Sequence, residues 1–401
     1  MVKICEVCDS KNLKKVLDLG SHPLCDDLIP IGSKRRNKLY RIEVLFCKKC
    51  FTGHQKHQVE KKVLFGKNYH YRARFTKDVL DGMKNLVDES EKFVGKLKGK
   101  TILDIGCNDG SLLNFFHKRG CKTIGVEPTG AYKDVRQKHK IYNNFFDNFF
   151  IQNFNEKNKI DLITFTNVFA HIDNLNLLIS NLKKILRKNT IIIIENHYMG
   201  SVLQRNQFDT FYHEHPRTYS LKSFIFISKK LGLDILKVTF PKRYGGNIRV
   251  IMGKKHLKKD EKFNKILKKE KIFEKNFKKL SRNIIRWKKR KRKIILNNFN
   301  KNGKILAKAF PGRAAILIKL LDINEKIIQG VFEKPDSKKI GHYVPGTKIP
   351  ILSDKILFKL IKKKKIVLNL AWHLTDEIKE YLKRNKYNGK IIDILDKFDY
   401  V

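Results

Sequence analysis

Between Asn196 and Arg249 the chain gathers side chains able to move protons. The run Gln207-Phe208-Asp209-Thr210-Phe211-Tyr212-His213-Glu214-His215 sets a phenol, a carboxylate and two imidazoles side by side, and a Tyr244-Gly245-Gly246 turn follows. Acid, base and phenol together suit general acid–base work, in which a side chain titrating near the working pH takes or gives a proton. The run comes just after residues 191 to 194, an aliphatic stretch that reads as the last parallel strand of a nucleotide-binding sheet. Ligands of open α/β sheets collect at the carboxyl ends of strands, so chemistry is expected here.

Two further constellations carry binding chemistry. Cys5-Glu6-Val7-Cys8 and Cys47-Lys48-Lys49-Cys50 are paired CxxC knuckles, each presenting two thiolates from one tight turn to a tetrahedral ion. Sulfur fills all four positions, which predicts a structural zinc without an open site for water. Upstream of the histidine-rich run, Asp104-Ile105-Gly106-Cys107-Asn108-Asp109-Gly110 is a strand-to-helix turn, and Glu127 closes the next strand about twenty residues later. Gly106 and Gly110 let backbone approach a ligand at a helix start, while a Glu127 carboxylate can accept from a ribose diol. The turn lacks the full GxGxxG spacing of a dinucleotide site, so S-adenosylmethionine fits better than NAD.

Positioning these groups requires alternating strands and helices. Strands are expected at 101–105, 123–126, 162–166 and 191–194, with a closing antiparallel pair at 236–240 and 248–252. A second α/β pattern follows, with strands at 305–309, 327–332, 366–370 and 390–395, and a Phe310-Pro311-Gly312-Arg313 turn before a helix at 314–321 able to hold an anion. The fold class is therefore α/β: a zinc module over 1–70, a Rossmann-like S-adenosylmethionine domain over 71–253, and a second Rossmann-like domain over 301–401. Residues 254–300 between them read as one basic amphipathic connector helix. Residues 254–293 hold twenty Lys or Arg against four Asp or Glu, yet apolar residues recur at Phe263, Ile266, Phe273, Phe277, Leu280, Ile284 and Trp287 with one gap at Glu270.

The 401 residues carry 87 Lys and Arg against 39 Asp and Glu, a formal charge of +48. Such an excess suits nucleic acid, an anionic membrane surface or a phosphate-bearing ligand, and equally a solvated basic face; the regular apolar stripe favours a connector over a free nucleic-acid arm. The aliphatic stretch at 191–194 is far too short to cross a bilayer, and no secretory signal opens the chain. Seven cysteines, four of them in CxxC pairs, suit a reducing cytoplasm and metal ligation.

Taken in order, the motifs resemble the S-adenosylmethionine-dependent sugar C-methyltransferases, which methylate a ring carbon of nucleotide-linked keto-deoxysugars. The resemblance runs through the CxxC pairs with Leu19-Gly20-Ser21-His22-Pro23-Leu24 between them, Tyr69 to Arg72, the glycine turn, and Gly125-Val126-Glu127-Pro128. It continues through Asn167-Val168-Phe169-Ala170-His171, Tyr212-His213-Glu214-His215, Gly245-Gly246-Asn247-Ile248-Arg249, Tyr343-Val344-Pro345-Gly346-Thr347 and Ala371-Trp372-His373. It implies His215 as the base that removes the proton beside the ketone, with Tyr212, Glu214 and His171 around the sugar. It further implies cofactor contacts from Asp104, Gly106, Asn108, Gly110, Glu127 and Tyr71, and substrate contacts from Asn167, Tyr244, Gly245, Arg249 and Arg313. The implied substrate is a nucleotide-diphosphate-linked 4-keto-deoxysugar. Phe310, where the family has a small residue, and Asn247, where serine is common, depart from the pattern and bear on substrate choice. The rival readings are a zinc-ribbon RNA methyltransferase, which would need a Pro-Pro-aromatic run where Asn167-Val168-Phe169-Ala170 stands, and a non-catalytic sugar-nucleotide binder.

Overall fold

The computed structural model describes residues 1–65, 69–136, 138–155, 159–254, 261–360 and 366–400, without the side chains of Tyr244, Lys397 and Tyr400. The chain forms two compact units, one of Met1–Val16, Val44–Gln204 and Glu214–Glu274, the other of Leu17–Glu43, Arg205–His213 and Lys275–Val401.

The first unit is built on a seven-stranded sheet in the order Asp234–Thr239, Asn247–Gly253, Ile191–His197, Leu162–Thr166, Thr101–Ile105, Lys122–Val126, Lys140–Tyr142. The last five strands are parallel and the first two add antiparallel. Strands covered on both faces carry continuous apolar runs, which is why four consecutive isoleucines, Ile191 to Ile194, form a central strand with all four side chains buried. Helix Lys77–Val94 covers one face through Val79, Met83, Leu86 and Val87, a helical spacing, and ends at Gly95 with φ 73°. Helices Leu175–Ile185 and Leu221–Leu231 are started by Asn174 and by a Ser220–Ser223 capping box. The strand order reverses between Thr101–Ile105 and Leu162–Thr166, so the switch-point crevice opens at Gly106 and Asn167.

The expected single connector helix is two helices, Glu261–Glu270 and Phe273–Asn302. The gap at Glu270 is where they part: its buried carboxylate accepts from Leu221 N at 2.6 Å, Lys222 N at 2.9 Å and Tyr198 Oη at 3.0 Å. It serves as the acidic partner at the start of another helix, where orphan N–H groups and the helix dipole favour a negative charge.

The second unit holds a five-stranded, all-parallel sheet ordered Ile351–Ser353, Ile328–Glu333, Ile305–Lys308, Val367–Asn369, Ile391–Asp393, also doubly wound. The stripe expected on the basic helix is buried at Phe277, Leu280, Ile284 and Trp287. Trp287 packs edge-on to Phe208 at 4.9 Å and donates to Ile394 O at 2.8 Å. One lysine from the basic run, Lys291, is buried against Asp399 at 3.1 Å, whereas Lys288, Lys289 and Arg290 are exposed.

Candidate active site and metal centre

The glycine turn follows strand Thr101–Ile105 directly, and its backbone accounts for its sequence. Gly106 has φ 73°, and a Cβ there would lie 2.5 Å from Val168, so no larger residue fits. Asn108 takes φ 52°, which asparagine tolerates. Residues 71–74 are latched across this turn: Ala73 N donates to Asn108 Oδ1 at 3.0 Å, Arg74 N to Asp109 Oδ2 at 2.9 Å, and Asn108 Nδ2 to Tyr71 O at 3.2 Å. Tyr71 thus meets the turn through its carbonyl. Arg72 pairs with Asp134 and donates to Tyr69 O at 2.7 Å.

Glu127 is buried at the end of strand Lys122–Val126 and holds the turn together. It accepts from Asn108 N at 2.9 Å, Thr129 N at 2.8 Å and Thr129 Oγ1 at 2.6 Å. A carboxylate has about four lone-pair sites, so these bonds leave about one for a ligand, where a ribose diol would offer two donors. Burial raises the Glu127 carboxyl despite these hydrogen bonds. Asp104 is pushed up to about 7 by burial, against a hydrogen bond from Thr164 and with help from Glu127.

At the neighbouring strand ends the first unit brings three imidazoles together. The buried His215 ring lies 4.8 Å from His171 and 5.3 Å from His197, centroid to centroid. His171 comes from the short turn Phe169–His171 after strand Leu162–Thr166, and His197 is the last residue of Ile191–His197. His171 Nδ1 lies 2.7 Å from Glu214 O; a carbonyl only accepts, so Nδ1 carries the proton. Burial drives His171 down to about 4, offset in part by the carbonyls of Glu214 and Asn167, so the ring is neutral at pH 7. Tyr69 Oη donates to Glu214 Oε2 at 3.5 Å, at the outer limit for such a bond. Neither His197 nor Tyr69 is among the site residues expected from sequence; the signal for His197 is its position at the carboxyl end of an aliphatic strand.

Because His22 and His171 both sit near 4, against an ordinary 6.5, largely through burial, they bind protons more readily in the unfolded chain. Stability from keeping them neutral is complete above about 6.5 and is lost as the pH falls through about 4. Thermal unfolding across that window should show a falling midpoint, and a flat midpoint would refute the assignment.

Arg249 differs from the substrate contact expected of it. Its buried guanidinium pairs with Glu195 at 2.7 Å and Glu89 at 2.5 Å and donates to Asn85 Oδ1 at 2.9 Å. Glu195 also pairs with Arg243, and the two guanidiniums outweigh burial to hold its carboxyl below the usual range. Asn247 Nδ2 donates to Glu195 at 3.0 Å and to Asn167 Oδ1 at 3.1 Å, a double reach that a serine hydroxyl, with one proton, lacks. Asn167 itself has φ 55°. Gly245 has φ 81° in the turn Arg243–Gly245, whereas the Tyr244 side chain lies outside the described residues.

In the second unit Arg313 is engaged by protein groups. Its Nε lies 3.3 Å from Asp209 Oδ2, Nη1 donates to Thr210 Oγ1 at 3.2 Å, and the guanidinium stands 5.3 Å over Trp372, whose Nε1 donates to Asp209 at 2.9 Å. An anion there would compete with Asp209. Tyr212 is half-buried in the same unit, in the segment Arg205–His213.

The four knuckle cysteines are buried, with sulfurs all within 4.8 Å of one another. Cys5–Cys50 and Cys8–Cys47 are 3.4 and 3.5 Å apart. Tetrahedral zinc with Zn–S bonds of about 2.3 Å needs sulfurs about 3.8 Å apart, so the set fits. Hydrogen bonds with Cys5 and Cys50 depress the Cys47 thiol, while hydrogen bonds with Cys47 and Cys5, together with burial, raise Cys50. Only a cation lets all four ionise together.

Three family models match in sequence: "Putative zinc binding domain" over residues 5–65, "Methyltransferase domain" over 72–238 and "C-methyltransferase C-terminal domain" over 242–394. The C-methyltransferase NovU of Streptomyces niveus is 27% identical over 250 residues, 61% of this chain and 59% of that protein. The ubiquinone biosynthesis O-methyltransferase of Pasteurella multocida is 27% identical over 110 residues, 24% of this chain and 46% of its own length. The chain thus spans about half the length of these curated relatives. A SAM-dependent methyltransferase from Archaeoglobus fulgidus aligns over 43% of this chain and 93% of its own, with 16% identity and a TM-score of 0.37. Magnesium protoporphyrin IX methyltransferase from Synechocystis PCC 6803 aligns over 48% and 88%, with 14% identity and a TM-score of 0.33.

Proposed function

We propose that the chain is a sugar C-methyltransferase with an N-terminal zinc module and that it methylates the carbon beside the ketone of a nucleotide-diphosphate-linked 4-keto-deoxysugar. The observation that carries this reading is the His171–His197–His215 cluster at the strand ends of the unit that holds the glycine turn and Glu127. S-adenosylmethionine, bound at that turn, supplies an electrophilic methyl. His215 would take the proton from the carbon beside the ketone, leaving an enolate carbon to accept the methyl group that the bound cofactor would supply. Carbon attack needs that prior proton removal, which an imidazole supplies near neutral pH. His171, with Nδ1 committed to Glu214 O, offers a neutral ring at the site. Tyr69 is a phenol able to donate to the developing oxyanion.

The zinc module holds its ion through Cys5, Cys8, Cys47 and Cys50. Arg313 contacts substrate only when Asp209 yields its partner, whereas Arg249 acts through Glu195 and Asn247 on Asn167. No helix among the described residues is long and apolar enough to cross a membrane.

Mass spectrometry of a keto-sugar nucleotide incubated with protein and S-adenosylmethionine should find one added methyl group, and absence of any gain across a panel of such sugars would reject the substrate class. The cofactor site has its own check. Glu127→Ala should weaken S-adenosylmethionine binding by about 1.5–3 kcal/mol, the range for hydrogen bonds to a charged group; calorimetry giving an unchanged affinity would remove Glu127 from the site. Against the RNA methyltransferase alternative, nucleic-acid binding by the exposed basic face should be weak, salt-sensitive and indifferent to sequence. Submicromolar, sequence-selective RNA binding at physiological salt would restore that alternative.

A further inference from the structure

One buried arginine joins the metal knuckle to the histidine cluster. Arg217 lies two residues after His215, and its side chain is fully buried within the first unit. Its Nη1 lies 2.8 Å from Oε2 of Glu6, the residue between Cys5 and Val7 in the first knuckle. The same nitrogen donates to Asp173 O at 3.1 Å, two residues after His171, and Nε donates to Tyr219 Oη at 3.0 Å. The backbone repeats the link: Arg217 and Thr218 pair antiparallel with His54 and Gly53, and Gln55 N donates to Pro216 O at 2.8 Å. Glu6 is fixed from its own side by His54 Nδ1 at 3.3 Å and Gln58 Nε2 at 2.9 Å, and His54 Nε2 lies 3.3 Å from Cys5 Sγ.

An ion pair made by a buried arginine adds little net stability over a well-packed apolar replacement, but removing the half-buried Glu6 carboxylate leaves the buried Arg217 charge uncompensated. Such a pair is suited to fixing register. Catalytic groups need placement to within about half an ångström, held by residues that are themselves locked. Here the locked element is the thiolate knuckle; Arg217, which it reaches through Glu6, lies two residues after His215, and Asp173, which Arg217 holds, lies two residues after His171. We infer that Glu6 and Arg217 are positioning residues through which the zinc knuckle sets where His171 and His215 stand, an inference that rests on the proposed function for its catalytic consequence and on geometry alone for the placement.

The test uses the full zinc-loaded chain. Glu6→Gln keeps the side chain's shape and removes its charge; Arg217→Lys keeps the charge and loses the fork. In both, elemental analysis should find the wild-type zinc content and calorimetry the wild-type affinity for S-adenosylmethionine. Imidazole ¹H–¹⁵N spectra should show His171 and His215 displaced while His117, on helix Ser111–Lys118, stays in place. Removing zinc from wild type with a chelator should displace the same two resonances. With a methyl-accepting keto-sugar nucleotide, kcat should fall tenfold or more at little change in KM. Zinc-loaded, folded variants whose His171 and His215 signals overlay wild type would overturn the inference, as would a chelated protein that keeps both signals. Should wild type methylate no keto-sugar, the functional proposal fails, and the imidazole spectra still decide the positioning.

Discussion

His215→Asn should keep the fold and both ligands and lose methyl transfer by a factor on the order of a hundred or more, the range of a positioned general base. The residue is buried with its ring against His171 and His197, so a smaller amide leaves the surrounding elements their own contacts. The loss should fall on kcat, because an asparagine side chain has no basic nitrogen to take the proton. Isotope exchange separates this step from methyl transfer: wild type, given the keto-sugar in D₂O, should exchange the hydrogen beside the ketone, and the variant should exchange it on the order of a hundredfold more slowly. Fast turnover in His215→Asn, with Tyr212 or Glu214 variants inactive, would move the base elsewhere in the same run. A His197→Gln variant with slowed exchange and intact His215 would instead make the third imidazole a partner in proton transfer.

Cys47→Ser carries the largest expected effect on stability. A closed thiolate site contributes apparent binding free energies of about 10–16 kcal/mol in small zinc peptides, comparable with the whole stability of a domain at about 5–15 kcal/mol. In this chain the knuckles are part of the first unit's core: all four cysteines belong to the cluster that also contains Ile194, Phe169 and Phe224. Cys50 O accepts from Ser220 Oγ at 3.3 Å and Ser223 Oγ at 3.2 Å, the capping box of helix Leu221–Leu231. Loss of the ion should therefore reach that helix start as well as the knuckles. Elemental analysis should find wild type near one zinc per chain and the variant well below it, with a thermal midpoint lower by many degrees. A well-folded wild-type protein without metal would sink the zinc assignment.

What the sequence determined by itself is what short-range chemistry encodes. Two CxxC pairs allow few outcomes, since two thiolates in one tight turn are preset for a metal, and the four sulfurs do converge. Continuous aliphatic runs such as Ile191 to Ile194 specify strands buried on both faces, and Gly106 marks a turn where a Cβ would strike Val168. The Tyr-His-Glu-His run offers groups able to move protons, and the fold sets the His215 ring beside His171 and His197. The tertiary structure decided which charges these groups face. Arg249 meets Glu195 and Glu89, Glu270 meets the start of helix Leu221–Leu231, and Arg217 meets Glu6, in each case a partner at least 48 residues away. The placement of residues 205–213 with the second unit, one residue before Glu214 joins the first, is likewise invisible in a local pattern. The physical reason is common to all of these: turn preference, ligand spacing and periodicity are read within a few residues, whereas a buried ion pair is specified by which distant surfaces exclude water together, and a charged residue looks the same in sequence whether it faces solvent, a ligand or a partner in the core.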